Sequence, residues 1–399
     1  MLATRVLGKT GLQVTELGFG AMNLRLVKPP AALKTLAFVL RSGINFIDTS
    51  ETYNREFPDG TRSVSEALIG EAIRQWGAPG EIIISTKGHG YNPKGCMECL
   101  HGSLKRIGIE GNGPDRHIGK TPVRLIYMLH GLNRERWDET KRTGCVPKAL
   151  VPARAQGLID YIGFSGHDQE VMAEVIRSGL FEVVEMRYNV FDRDARHTAV
   201  AGRSSRRTSR QLLELARQQG MGIVNMKPFG GNGMQPLLRV ITAEAVMVQY
   251  QRMLRYCLAE PALSTVIPGA ATEEQARECY DAALDGPLPE DEQRALEEQA
   301  DRIIKVIGSD YCRGCRHCLD DAPGFECPNS VPFDEILILD SRRKVAAAAG
   351  LSLDHLKALY RRLPVDASVC DRCGECRARC IYDIPIEDML QAAHRELTA

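Results

Sequence analysis

Ile44-Asn45-Phe46-Ile47-Asp48 is followed by an amphipathic pattern over Ser63–Gln75 and then by Ile82-Ile83-Ile84-Ser85-Thr86-Lys87. Both apolar runs are short and β-rich, as expected of parallel strands covered on both faces. The pattern between them repeats with a helical period, so the stretch reads as one strand-helix-strand unit. Outward from it the same alternation runs from Val14 to Ala283. The candidate strands are Val14–Gly18, Ile44–Asp48, Ile82–Lys87, Val123–His130, Tyr161–Ser165, Val183–Asn189, Gly222–Lys227 and Thr265–Pro268. The candidate helices are Ala31–Ser42, Ser63–Gln75, Cys96–Ile107, Val146–Gln156, Gln169–Ser178, Arg210–Gln219, Ala243–Leu258 and Glu273–Ala283. Eight such pairs predict an α/β fold, a (β/α)8 TIM barrel. A doubly wound sheet would more often open with a glycine-rich fingerprint, and Gly18-Phe19-Gly20-Ala21 does not complete one.

The segment Arg5–Val14, with Gly8 and Gly11 as turn residues, reads as a hairpin that plugs the bottom of the barrel. Ile109–Lys120 reads as an inert insertion ahead of the fourth strand. Leu288–Ile307 reads as a charged helix leading out of the barrel. The expected organisation is therefore a barrel over 1–287, a connecting helix over 288–308 and a small all-α domain over 309–399.

That last region holds eight of the thirteen cysteines. Cys312, Cys315, Cys318 and Cys327 follow C-x2-C-x2-C-x8-C-P, and Cys370, Cys373, Cys376 and Cys380 follow C-x2-C-x2-C-x3-C. Three thiolates at two-residue gaps can wrap one corner of a cubane. In two-cluster ferredoxins the fourth cysteine of each run ligates the other cluster. The pattern predicts two 4Fe–4S clusters in a helical ferredoxin-like domain, although the x8 gap exceeds the usual x3 and no proline follows Cys380. Zinc sites more often use paired C-x2-C knuckles, and a disulfide framework suits a short secreted domain. Cys96 and Cys99 read as two residues of one helix face.

The 399 residues carry no net charge, which gives no global pull toward nucleic acid or a membrane surface. No run is long and apolar enough to cross a bilayer, and Met1-Leu2-Ala3-Thr4-Arg5 has no apolar signal core. A reducing cytoplasm is the expected setting. Asp192–Arg210 carries six arginines and reads as a solvated loop, with a basic flap over an anionic ligand as the alternative.

Barrel enzymes place their chemistry at the C-terminal ends of strands. Asp48, Lys87 and His130 end the second, third and fourth candidate strands, and Tyr53 follows one short loop after Asp48. A carbonyl that accepts a hydride develops negative charge on oxygen and must receive a proton. Tyr53 is the candidate donor, with a Lys87 ammonium lowering its pKa. Asp48 would hold Lys87 charged, and His130 would orient the substrate oxygen.

At these residues the chain resembles the aldo-keto reductases. The resemblance covers residues 5–285 and includes Arg5-x-Leu7-Gly8-x-Thr10-Gly11-Leu12, Gly43–Thr49, Ser103–Gly108, Ile162–Ser165 and Ile267–Gly269. The family's tetrad of Asp, Tyr, Lys and His maps onto Asp48, Tyr53, Lys87 and His130. With the cysteine tail, the chain looks like the branch that carries a C-terminal helical ferredoxin domain.

The resemblance implies NADP(H) or NAD(H) across the barrel mouth, with a small carbonyl or alcohol as substrate. It implies carboxamide contacts from Ser165, Glu185, Tyr188 and Asn189, and Met226 under the nicotinamide. It implies that Lys227, Pro228, Phe229, Gly230 and Gly231 cross the pyrophosphate, and that Pro268, Gly269, Ala270 and Glu278 lie near the adenosine ribose. Glu185 stands where the family usually has Gln, and Met226 where an aromatic residue often stacks. Gln275 stands where members using NADPH often have Arg, and Cys279 replaces the usual Asn, which weakens the preference for NADP. Arg277 or the basic loop is a candidate replacement charge.

Nicotinamide moves two electrons and clusters move one. The favoured expectation is an enzyme whose clusters relay electrons to an external redox partner. The alternatives are an ordinary reductase with structural or redox-sensing clusters, and a non-catalytic electron-transfer or scaffold protein.

Overall fold

The computed structural model describes residues 2–194, 208–230, 246–308, 310–314, 317–320, 327–380 and 382–399. The chain divides into two compact units. The first comprises Met1–Tyr188, Arg207–Pro228 and Leu254–Leu288; the second comprises Asn189–Arg206, Phe229–Met253 and Pro289–Ala399.

In the first unit a hairpin, β1 (Thr4–Val6) and β2 (Gln13–Thr15), precedes β3 (Phe19–Gly20) and β4 (Phe46–Asp48). A short ribbon follows, β5 (Asn54–Glu56) and β6 (Arg62–Val64). Then come β7 (Ile82–Gly88), β8 (His117–Ile118), β9 (Thr121–Leu132), β10 (Tyr161–Gly166), β11 (Val183–Arg187), β12 (Gly222–Met226) and β13 (Thr265–Ile267). The main sheet runs β3-β4-β7-β9-β10-β11-β12-β13, with every pair parallel. Parallel bridges Leu17↔Val266 and Gly20↔Gly269 join its two edges. The result is a barrel of eight parallel strands.

Strand alternation decides what fills it. Phe46, Ile83, Ile126, Met128, Val183, Val224, Met226 and Ile267 form one buried apolar cluster, with Leu7 and Val14 of the hairpin. The hairpin thus packs its apolar side chains into the barrel interior. Gly8 makes the approach feasible: it has φ +48°, and a Cβ there would fall 2.2 Å from the backbone nitrogen of Gly222.

Two local expectations change, and one inserted segment proves firmly held. The first barrel strand starts at Phe19, whereas Val14 pairs with Arg5 in the hairpin. Asn45 Oδ1 takes the Thr15 N–H at 2.8 Å and Thr15 Oγ1 donates to the Leu17 carbonyl at 2.7 Å, which separates hairpin from barrel strand. Ile109–Lys120 is anchored: β8 pairs with β9, and buried Arg116 pairs with Asp160 and donates to the Gly157 carbonyl.

The second change lies between β9 and β10. The helix expected over Val146–Gln156 is a π turn, Val146–Leu150, running into the short helix Val151–Ala155. Pro152 lacks an N–H and disrupts the regular ladder there. A further helix, Arg134–Thr143, buries only Trp137 and Thr140, so its apolar period is too faint to read.

The second unit is helical among its described residues. Glu290–Ile307, Phe333–Ala348, Asp354–Arg361 and Ile386–Thr398 are its longer helices. Val331, Phe333, Ile336, Leu337, Leu356, Tyr360, Leu390 and Leu397 contribute to its apolar core. Cys312, Cys318, Cys327, Cys370, Cys376 and Cys380 pack half-buried against that core. No helix among the described residues is long and apolar enough to cross a membrane.

Candidate active site

The same alternation that builds the apolar interior carries polar residues one step beyond it. Phe46 leads to Asp48, Ile83 to Ser85 and Lys87, Met128 to His130, and Val183 to Glu185. Asp48, Lys87 and Glu185 are all buried, Lys87 completely. Lys87 Nζ donates to Asp48 Oδ2 and, at 2.9 Å, to the Thr49 carbonyl. It also lies 2.9 Å from Glu185 Oε2. The ammonium sits 5.4 Å from the Tyr53 ring centroid. Tyr53 and His130 meet edge to face at 6.0 Å. The four residues Asp48, Tyr53, Lys87 and His130 therefore come together in the first unit.

The electrostatics follow from burial and charge count. Burial disfavours the Lys87 ammonium, but Asp48, Glu185 and Tyr53 outweigh it and hold Lys87 above its ordinary value. Burial, then the Glu185 charge, push Asp48 well above the carboxylate range despite Lys87. Burial also raises the Tyr53 phenol; Lys87 opposes this, and Asp48 and Glu185 reinforce it. The expected lowering of Tyr53 does not occur, because burial outweighs the Lys87 charge and the Asp48 and Glu185 carboxyls add to it. Tyr53 is thereby kept as a phenol, the form that can donate a proton.

Several supporting groups were not legible beforehand. Ser50 Oγ lies 3.1 Å from His130 Nδ1, and Tyr91 donates to the His130 carbonyl at 2.6 Å. His89 packs against the His130 ring at 4.4 Å, and its N–H donates to Glu51 Oε1 at 2.8 Å. Ser50 stands two positions after Asp48, which was a usable signal; Tyr91 and His89 lie beyond the next strand and gave none.

The residues assigned to the nucleotide fall into different settings. Ser165 Oγ accepts the Gly131 N–H at 2.9 Å. Tyr188 is buried in a stack with Tyr256 at 6.1 Å. Met226 lies in the apolar cluster of the interior. Lys227 adopts φ +57°, a left-handed conformation unusual for a non-glycine residue. Pro268 and Ala270 are buried, and Gly20 N–H donates to the Pro268 carbonyl at 3.0 Å. Gly269 lies against Asn23, whose Nδ2 would be 2.9 Å from an added Cβ. Glu278 is half-buried on the helix Glu273–Leu284.

On that helix the Gln275 side chain accepts the Ala271 N–H at 2.8 Å. Arg277 lies over the Phe38 ring at 4.4 Å and pairs with Glu273 at 2.7 Å. Asn189, Phe229 and Gly230 belong to the second unit. There Asn189 Nδ2 donates to Asp192 at 2.7 Å, and Phe229 meets Tyr250 edge to face. Gly231, Cys315 and residues 195–207 of the arginine-rich loop lie outside the described residues.

In the second unit Cys370, Cys373 and Cys376 line one pocket with Cys327, together with Phe333, Glu387 and Leu390. Burial first, and the Glu387 carboxylate second, push the Cys376 thiol up to about 12. A thiolate there needs a cation beside it. All described cysteines are free thiols, and among the described residues no three metal-binding side chains stand close enough to hold an ion.

Residues 16–236 match the Aldo/keto reductase family. The chain belongs to that family. The relatives of this aldo/keto reductase include the uncharacterized oxidoreductase YqkF of Bacillus subtilis (strain 168), 26% identical over 75% of this chain and 97% of that protein. L-galactose dehydrogenase of Arabidopsis thaliana is 24% identical over 69% of this chain and 86% of that one. In structure it resembles the aldo-keto reductase AKR11C1 from Bacillus halodurans (holo form), with a TM-score of 0.55 and 22% identity over 75% of this chain and 96% of that one. The chain is an aldo-keto-reductase-type oxidoreductase. The family match stops at residue 236 and does not reach the cysteine runs.

Proposed function

We propose that the barrel interconverts a carbonyl and an alcohol with NADP(H) or NAD(H), and that the tail carries two 4Fe–4S clusters. The observation that carries the first part is Lys87, fully buried between Asp48 and Glu185 beside Tyr53 and His130. A bound nicotinamide supplies or accepts the hydride. Tyr53 supplies the proton to the developing alkoxide, and Lys87 faces the phenolate left behind. His130, held by Ser50, donates to the substrate oxygen and orients it. The left-handed Lys227 backbone supports an anion site at the end of β12, since such turns aim successive N–H groups outward.

For the clusters, the pocket that unites Cys327 with Cys370, Cys373 and Cys376 supports an exchange of fourth ligands between the runs. On this reading Cys312, Cys315, Cys318 and Cys380 hold the other cluster. An electron relay to an external partner rests on the cysteine pattern alone. The packing of six of these cysteines on the helical core favours a second reading, in which the clusters staple that unit together.

Iron, sulfide, visible absorbance and EPR of anaerobically purified protein test the tail, followed by addition of NADPH or NADH. Bleaching by either nucleotide establishes the relay. Reduction by dithionite alone favours the staple, and absence of iron removes both. The barrel is tested by Tyr53→Phe, which should abolish carbonyl reduction.

A further inference from the structure

Three strands deliver three charged groups to one buried point. Asp48 comes from β4, Lys87 from β7 and Glu185 from β11, with side-chain exposures of 4%, 0% and 3%. Both carboxyl groups contact the same ammonium, so they share one buried point of positive charge. Two ionised carboxylates with one ammonium leave an uncompensated negative charge in the interior. One proton held by the pair removes that charge.

We propose that Glu185 is a positioning residue that shares one proton with Asp48 over Lys87, so that the buried group of three is electrically neutral at neutral pH. The displacement of Asp48 to a higher pKa agrees with this. The neighbouring ionisable groups are Tyr53, Arg25, whose charge acts on Tyr53, His130, and Arg187 two positions along the strand from Glu185. The arrangement has a chemical use. When Tyr53 gives its proton to the product oxygen, Lys87 can return one to the phenolate and take the shared proton from the carboxyl pair. The pair is then reprotonated from water, so one proton enters for each proton delivered. This use rests on the hydride-transfer reading; the shared proton itself does not.

Infrared difference spectra of the full-length protein at neutral pH provide the test, comparing wild type with E185Q and, separately, with D48N. Each difference should contain one protonated-carboxyl C=O band present only in wild type. A difference showing only carboxylate bands overturns the proposal, and either variant suffices if the other does not fold. In turnover, the alkaline fall of the wild-type kcat profile should be lost in E185Q. Profiles that superimpose after scaling reduce Glu185 to packing. If Tyr53→Phe retains activity, the hydride reading fails while the infrared band still decides the shared proton.

Discussion

The barrel and the cysteine-rich unit gather reactive side chains by different means. In the barrel, backbone register places Asp48 on β4 beside the paired strand β7 that carries Lys87, and Glu185 on β11, separated from β7 by β9 and β10, reaches the same ammonium. In the second unit, Cys327 and the Cys370 run meet in loops and short turns laid on a helical core. Glu375–Ala378 is a single turn of helix, entered through Gly374 at φ +81°. A sheet fixes the spacing and facing of its residues through the hydrogen-bonded ladder. A cysteine loop takes its final geometry from the metal it binds. On the proposed function, substitutions in the barrel should therefore cost chemistry or local stability, and substitutions at the tail cysteines should cost metal.

The largest expected effect is on rate. Tyr53→Phe removes the proposed proton donor and should lower carbonyl reduction by about 10²–10⁴-fold, with the absorbance of the proposed clusters unchanged. Steady-state assays and visible spectra of one preparation measure both.

Lys87→Ala should destabilise the first unit by about 3–5 kcal/mol, because it leaves Asp48 and Glu185 buried without their cation. Denaturant unfolding checks this, and an unchanged midpoint would remove the ion-pair account. In the tail, Cys327→Ser should lose about half of the iron while barrel activity with a carbonyl substrate persists. Iron analysis decides whether Cys327 completes a site with the Cys370 run.

A smaller effect concerns orientation. Ser50→Ala should lower kcat by roughly fivefold, about 1 kcal/mol, since it removes one hydrogen bond to His130 and leaves the Tyr91 contact.

The smallest effect is an acid one on the barrel's outer surface. Burial opposes ionisation of Glu174, but Lys141, Arg134 and Trp137 outweigh it and hold the carboxyl at about 2. A depressed carboxyl contributes stability that is complete above its unfolded value and lost as pH falls toward about 2. Glu174 is partly exposed, so the contribution should stay below ~1 kcal/mol. Melting at pH 6 and pH 3 should show a slightly smaller acid loss for Glu174→Gln than for wild type.

Much of the barrel was legible because its signal is local. Phe46-Ile47-Asp48 and Ile82–Gly88 appear where apolar runs end in polar residues, and strand period 2 then fixes which side chains share a face. The elements that escaped notice lack such a period. Arg134–Thr143 is almost wholly polar, and β3 is only two residues long. The site was legible as residue types at strand ends. The reversal at Tyr53 was not, because it comes first from burial and then from charges such as Glu185, which lies more than a hundred residues from Tyr53 in sequence.

The sequence alone determined the alternation of strands and helices, the two cysteine runs, and the polar residues that end the second, third and fourth strands. These depend on short-range periodicity and spacing, which a linear chain displays. The tertiary structure alone decided that Glu185 joins Asp48 on Lys87, that Ser50 holds His130, and that Cys327 shares a pocket with the Cys370 run. These depend on closure of the barrel and packing of the helices. Both are long-range events that bring distant residues within a few ångströms, and no local pattern encodes them.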